Sequence, residues 1–164
     1  MNVLGIDPGS SNGKPIGIAV VCINSDHVTP LYLPARTLRG EPAERRAIWR
    51  EEIAKALDLV GVHLVAIEDA YAPNVHSAAR LQEIVALAED LALAQNIPVV
   101  KIHPQTAKKA ISFWGIRPEN KADTVRIINM VCDLALTHLE HDTADAIAVA
   151  IAGEAAYREE SIAK

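Results

Sequence analysis

The stretch from Ala144 to Ala152 reads ADAIAVAIA, and a helix drawn through it is apolar on nearly every side. Such a helix has no wet face, so any fold for this chain must bury it against another layer. The helix is expected from Asp142 to about Ala156, with two carboxylates, Asp142 and Asp145, at its head.

The surfaces that bury it come from short apolar runs. Val3 to Ile6 ends in Asp7 and is followed by Pro8-Gly9-Ser10-Ser11-Asn12-Gly13, which is strong turn chemistry. Ile16 to Ile23 is a second run, and Leu31 to Leu33 a third after the turn residues Asn24-Ser25-Asp26. Short strands joined by turns predict an antiparallel meander. Leu64 to Ile67 ends in Glu68, and Ile97 to Ile102 supplies a fifth strand.

Helical spacing fills the intervals. Trp49, Ile53, Ala56, Leu57 and Val60 recur downstream of Pro42, and Leu81, Ile84, Val85, Ala88 and Leu91 mark a helix from about Ser77 to Ala94. Pro104 suits the first turn of a short helix through Ile111, and another is expected over Ala122 to Leu139. This order predicts an α/β fold, a mixed five-stranded sheet flanked by helices, in one domain spanning residues 1–164.

A chain of 164 residues, half of them hydrophobic, is long enough for one sizeable core. No run approaches the roughly 18 apolar residues that cross a bilayer, and no leader pattern opens the chain, so it is expected in the cytoplasm with no membrane partner. Cys22 and Cys132 stand too far apart to suggest a disulfide framework or a zinc site and are expected as buried free thiols.

The net charge of -5 sits poorly with a uniformly basic nucleic-acid binder. Between Lys101 and Arg126, however, six cations face Glu119 and Asp123, a local net of +4. That segment suits a phosphate backbone or, equally on charge alone, a solvated helical face.

Carboxylates at the ends of apolar strands are costly to desolvate unless paired, protonated or bound to a cation. Asp7 and Glu68 occupy such places, and Asp142 and Asp145, three apart, project from one helix face. Each has an ordinary structural reading. Asp before Pro-Gly is a common turn former, a strand-end Glu can face solvent with Asp69 beside it, and Asp142-Thr143-Ala144-Asp145 resembles a capping box. Those explanations must hold independently at every site, whereas one metal cluster accounts for all four acids. Hard oxygen donors suit Mg²⁺, with Mn²⁺ as substitute, and two such ions would balance four carboxylates.

In order along nearly the whole chain, Gly5-Ile6-Asp7-Pro8-Gly9-Ser10, Ile67-Glu68 and Asp142-Thr143-Ala144-Asp145-Ala146-Ile147-Ala148 resemble the RuvC crossover-junction endonucleases of the RNase H-like superfamily. The resemblance implies an RNase H-like fold and a two-metal enzyme that hydrolyses phosphodiester bonds in four-way (Holliday) junctions and related branched DNA. Asp7, Glu68, Asp142 and Asp145 would then be the metal-binding catalytic acids. Pro104-x-x-x-Lys108 resembles the segment carrying a lysine near the scissile phosphate, and Lys121 resembles the second functional lysine. The Lys108 to Lys121 spacing exceeds the family's by about two residues, which leaves Lys109 as a rival for Lys108.

Tyr71 falls where the family carries an aromatic residue proposed to stack on unpaired bases, and it reads equally as a loop aromatic with its hydroxyl in water. Phe113 and Trp114 read as packing residues. The turn at Asn12-Gly13-Lys14-Pro15 is longer than in typical members, so Lys14 is either a DNA contact or part of an inert insertion. The family's two-fold dimers imply a homodimer, with the Ser77 to Ala94 helix as the dimer element unless its apolar face meets the core, and branch-migration proteins as further partners.

Three rival readings stand beside this one. A sugar-kinase or Hsp70-like ATPase also places Asp-x-Gly after an apolar strand, but needs two such lobes. A non-catalytic branched-DNA binder is possible because fold does not fix activity. Within nucleases, a ribonuclease, or a phage-type enzyme active on forks and flaps, shares the same acids. Cleavage sequence, the preference among junctions, forks, flaps and R-loops, and a bacterial or viral source are not encoded in these motifs.

Overall fold

The computed structural model describes residues 1–9, 16–25, 27–34, 42–59, 61–69, 75–112 and 117–163. Strands β1 (Asn2–Asp7), β2 (Gly17–Ile23), β3 (Val28–Tyr32), β4 (Leu64–Glu68) and β5 (Val99–Ile102) form one sheet in the order β3-β2-β1-β4-β5. The first three pair antiparallel as the expected meander, while β4 and then β5 add in parallel beyond β1. Helices α1 (Pro42–Leu59), α2 (Val75–Ala94), α3 (Pro104–Ile111), α4 (Lys121–Cys132) and α5 (His141–Ile162) complete the described elements.

Helices cover both faces of the sheet, which is why its central strands read as continuous apolar runs rather than alternating ones. Val3, Ala19, Val21, Leu64 and Ala66 share a core with α3, α4 and α5. Their neighbours Leu4, Ile6, Ile18, Val20, Val65 and Ile67 point the other way, into a core with Trp49 and Ile53 of α1 and Ile84, Val85 and Ala88 of α2. The apolar stripe of α2 is therefore occupied by the sheet.

The apolar helix lies where its sequence demands. From Ala146 to Ala152 every residue of α5 is buried, and the helix packs on β1, β2, β4 and β5 with α3 and α4 beside it. Two glycines let it lie directly on the strands. A Cβ on Gly5 would strike the carbonyl oxygen of Ala146, and one on Gly17 the carbonyl oxygen of Asp142.

Several boundaries differ from the sequence expectation. The helix expected to reach Leu139 stops at Cys132, because Asp133 takes a left-handed conformation at φ 51 and its N–H bonds back to the Asn129 carbonyl. The Asn129 side chain then ties down the return, accepting from Leu136 N and donating to Leu136 O, both at 2.8 Å. A short 3-10 turn, His138–Glu140, leads into α5, which runs on to Ile162 rather than ending near Ala156. Lys121, expected in a loop, is the first residue of α4. Cys132 is a buried free thiol as expected, whereas Cys22 is only half-buried.

Candidate metal centre

Side chains alternate along a strand, so Asp7 shares the face of Val3 and Gly5, and Glu68 that of Leu64 and Ala66. That is the face covered by α5. The parallel register pairs Ile6 with Ile67, which sets Asp7 beside Glu68 one residue further on. The glycine contacts bring the first turns of α5 to the same end of the sheet, with Asp142 held against Gly17, the register partner of Asp7.

The result is a convergence of carboxylates. One oxygen from each of Asp7, Asp142 and Asp145 lies within 4.8 Å of the other two. Asp7 and Asp142 are only 8% and 7% exposed. Glu68, on the strand beside Asp7, is not one of these three. The sequence expectation of four acids in one cluster thus resolves into three converging carboxylates and one adjacent.

Burial and mutual repulsion both act on these carboxylates. Burial pushes Asp7 up to about 6, with Asp145 and Asp142 raising it further against a 2.9 Å hydrogen bond from Gly9 N and the charge of Lys121. Burial also pushes Glu68 up to about 8, reinforced by Asp7 and Asp145 and opposed by Lys108 and Lys121. Asp145 is raised by burial as well, while Lys121 is the main opposing charge. Carboxylates so placed resist ionising together unless cations join them. A buried all-oxygen donor set at this spacing fits hard divalent cations.

Lys121 is the cation already in place. Its Nζ lies 3.8 Å from both Asp142 Oδ1 and Asp145 Oδ2. A capping box anchors it: Asn120 Oδ1 accepts from Asp123 N at 3.0 Å, and the Asp123 carboxylate accepts from Asn120 N at 3.3 Å. Of the two rival lysines on α3, Lys108 is the one whose charge acts on Glu68 and Asp145. Both lysines line a groove beside α3.

Asp142 does not cap its helix. The N-cap of α5 is Glu140, which makes no side-chain cap bond to α5; its carboxylate accepts from Thr137 N and Oγ1 and so closes the capping box of the preceding 3-10 turn. Sequence reasoning overlooked His141, whose Nε2 lies 3.2 Å from Asp142 Oδ1. Its only signal was a histidine directly before the acid pair. Tyr71, Lys14, Phe113, Trp114 and the turn at 12–15 lie outside the described residues.

Comparison with known proteins follows the same lines. The family model described as crossover junction endodeoxyribonuclease RuvC matches residues 3–153. The crossover junction endodeoxyribonuclease RuvC of Rhodococcus opacus is 33% identical over 169 residues, covering 92% of this chain and 79% of the relative. That of Thermomicrobium roseum is 26% identical over 160 residues, covering 92% and 91%. Among solved structures, T. thermophilus RuvC in complex with Holliday junction substrate superposes with a TM-score of 0.80 at 21% identity, covering 97% of this chain and 96% of that one. The yeast mitochondrial Holliday junction resolvase Ydc2 gives a TM-score of 0.60 at 14% identity, covering 92% and 76%. At those identities the structures establish the fold, which is RNase H-like. No helix among the described residues is long and apolar enough to cross a membrane. With a family match running from β1 through most of α5, over the strands and helix that assemble the acidic cluster, the chain belongs to the RuvC family of crossover junction endodeoxyribonucleases.

Proposed function

We propose that this chain resolves Holliday junctions and related branched DNA by hydrolysing phosphodiester bonds, with Asp7, Glu68, Asp142 and Asp145 holding two Mg²⁺ ions that Mn²⁺ can replace. The observation that carries this reading is the buried convergence of Asp7, Asp142 and Asp145 beside Glu68, in a chain of the RuvC family. Proximity alone would leave a mutually repelling cluster with raised carboxylate pKa values; cations give it a reason to exist.

When bound, the ions supply Lewis acidity toward water and the scissile phosphate. The chain does the rest. Asp7 and Glu68, fixed on neighbouring strands of a rigid sheet, and Asp142 and Asp145, fixed one helical turn apart, hold the charge geometry without loop motion. Water oxygen bonds to phosphorus, the bond to the 3′-oxygen breaks, and that oxygen leaves as a hydroxyl once protonated, giving 5′-phosphate and 3′-hydroxyl ends. Lys121 and Lys108 place positive charge where the phosphorane accumulates negative charge, in a partly water-excluded site. A homodimer would present two such centres to symmetry-related strands, in the cytoplasm and alongside branch-migration proteins.

The test is cleavage of a labelled synthetic four-way junction beside matched duplex, single-stranded, flap and RNA–DNA hybrid substrates, with Mg²⁺, Mn²⁺ or EDTA. Paired symmetric nicks that need metal and vanish in Asp7→Asn are expected. Cutting mainly of flaps or hybrids would reassign the substrate, and tight junction binding without cutting by wild type would make the chain a binder.

A further inference from the structure

The basic segment does more than supply Lys108 to the acids. Between α3 and residues Arg117 to Glu119, which lead into α4, runs an open groove of about 1120 Å³. Its described walls carry Lys108, Lys109 and Arg117, with His103 at the N-cap of α3, against one acid among the described residues, Glu119. Among the described residues none of Lys108, Lys109 and Arg117 forms an ion pair, in contrast to Lys101, Lys121 and Arg126, each held by a carboxylate.

Size and chemistry restrict the occupant. Small-molecule sites are mostly apolar and run to about 300–1,000 Å³, whereas this groove is larger, and among its described lining residues only Pro118 lacks a polar side chain. A second hollow, about 700 Å³ among the β2–β3 turn, α3 and the C-terminal half of α5, is bordered by Lys109 as well, but its floor is apolar and its Arg158 is already held by Glu154. Unpaired cations along a long polar channel complement a polyanion.

We propose that this groove is a second phosphate site, in which Lys109 and Arg117 hold DNA backbone flanking the scissile bond. The proposal rests on the reading of the carboxylate cluster as the cutting centre. The groove adjoins the carboxylates: His103, which lines it beside Lys108, directly follows Ile102, the register partner of Glu68. A strand placed with one phosphate at the carboxylates therefore continues past Lys108 into the groove. The eight residues of α3 extend about 12 Å, long enough to face more than one phosphate of a strand. Such contacts fix register on the DNA and carry no base specificity.

The test measures junction binding with Ca²⁺ in place of Mg²⁺, as a function of salt, for wild type and the Lys109→Gln/Arg117→Gln double variant. Two lost phosphate contacts should lower the slope of log affinity against log salt by about 1.8, so a fourfold rise in salt should weaken wild type about twelvefold more than the variant. Mn²⁺ affinity in the absence of DNA should be unchanged. A junction carrying one neutral methylphosphonate near the cleavage step locates the contact: at one or more flanking positions it should weaken wild type several-fold and the double variant not at all. Equal salt slopes, or no position at which the penalty disappears, would overturn the groove while leaving junction cutting by wild type intact. Failure of wild type to bind or cut branched DNA would overturn both proposals.

Discussion

Gly17 faces the carbonyl oxygen of Asp142 with no room for a side chain between strand and helix. One hydrogen atom thus sets the distance between the sheet that carries Asp7 and the helix that carries Asp142 and Asp145. In Gly17→Ala the helix has to lift or tilt. Overpacking of this kind costs about 1–3 kcal/mol, and Mn²⁺ affinity should fall more than in Ile53→Val, a destabilised control on the opposite face of the sheet. Urea unfolding and calorimetric titration separate the two effects. Equal loss of metal affinity in both variants would show that the glycine contact does not position the site.

The raised carboxylates make the metal-free protein sensitive to base. Glu68 sits at about 8 in the folded chain against 4.5 ordinarily. Between those values the unfolded chain has released a proton that the folded chain retains, so stability falls as pH rises from about 4.5 to 8 and then levels off. Wild type in EDTA should show a melting temperature that declines across this window, and Glu68→Gln a flatter profile. Mg²⁺ at pH 8 should restore wild type more than the variant.

Lys121 contributes charge at the same spot that cations would occupy. Lys121→Ala should lower kcat by about 10²–10³-fold, the scale observed when one preorganised donor to a developing negative charge is removed. Mn²⁺ affinity should stay the same or tighten, because a competing positive charge 3.8 Å from Asp142 and Asp145 is gone. Weakened metal binding would recast Lys121 as a structural partner of the acids.

His141 reaches Asp142 Oδ1 with Nε2 while its Nδ1 lies 3.3 Å from the His138 carbonyl oxygen. Groups that orient a metal-binding carboxylate typically affect metal affinity by about 10–100-fold. His141→Ala should weaken Mn²⁺ binding within that range with little change in unfolding midpoint, and His141→Gln should recover part of it. A change in midpoint without a change in affinity would assign His141 to packing.

Much of the site was legible because strand and helix periods are rigid. Asp7 and Glu68 had to emerge at the ends of their strands, and Asp142 and Asp145 had to share a helix face. What the periods do not encode is which elements approach closely. Gly5 and Gly17 are isolated glycines in strands, a known mark of close backbone approach, yet the helix they admit lies more than a hundred residues away in the sequence. The early stop of α4 was hidden for a similar reason. Leu134 and Leu136 continue an apolar rhythm, while the left-handed turn at Asp133 depends on the Asn129 side chain folding back on Leu136. Adjacent lysines on one helix differ by about 100° in direction, so Lys108 and Lys109 separate only once α3 is set against the sheet.

The central claim is that Asp7, Asp142 and Asp145, with Glu68 beside them, form one divalent-cation centre. Anomalous diffraction from crystals soaked in Mn²⁺ tests it most directly. The account predicts Mn²⁺ density between β1 and the first turns of α5, within about 2.0–2.6 Å of those carboxylate oxygens, and its loss in Asp7→Asn. Well-ordered crystals with no density at the cluster under saturating Mn²⁺, or density that survives Asp7→Asn unchanged, would contradict it.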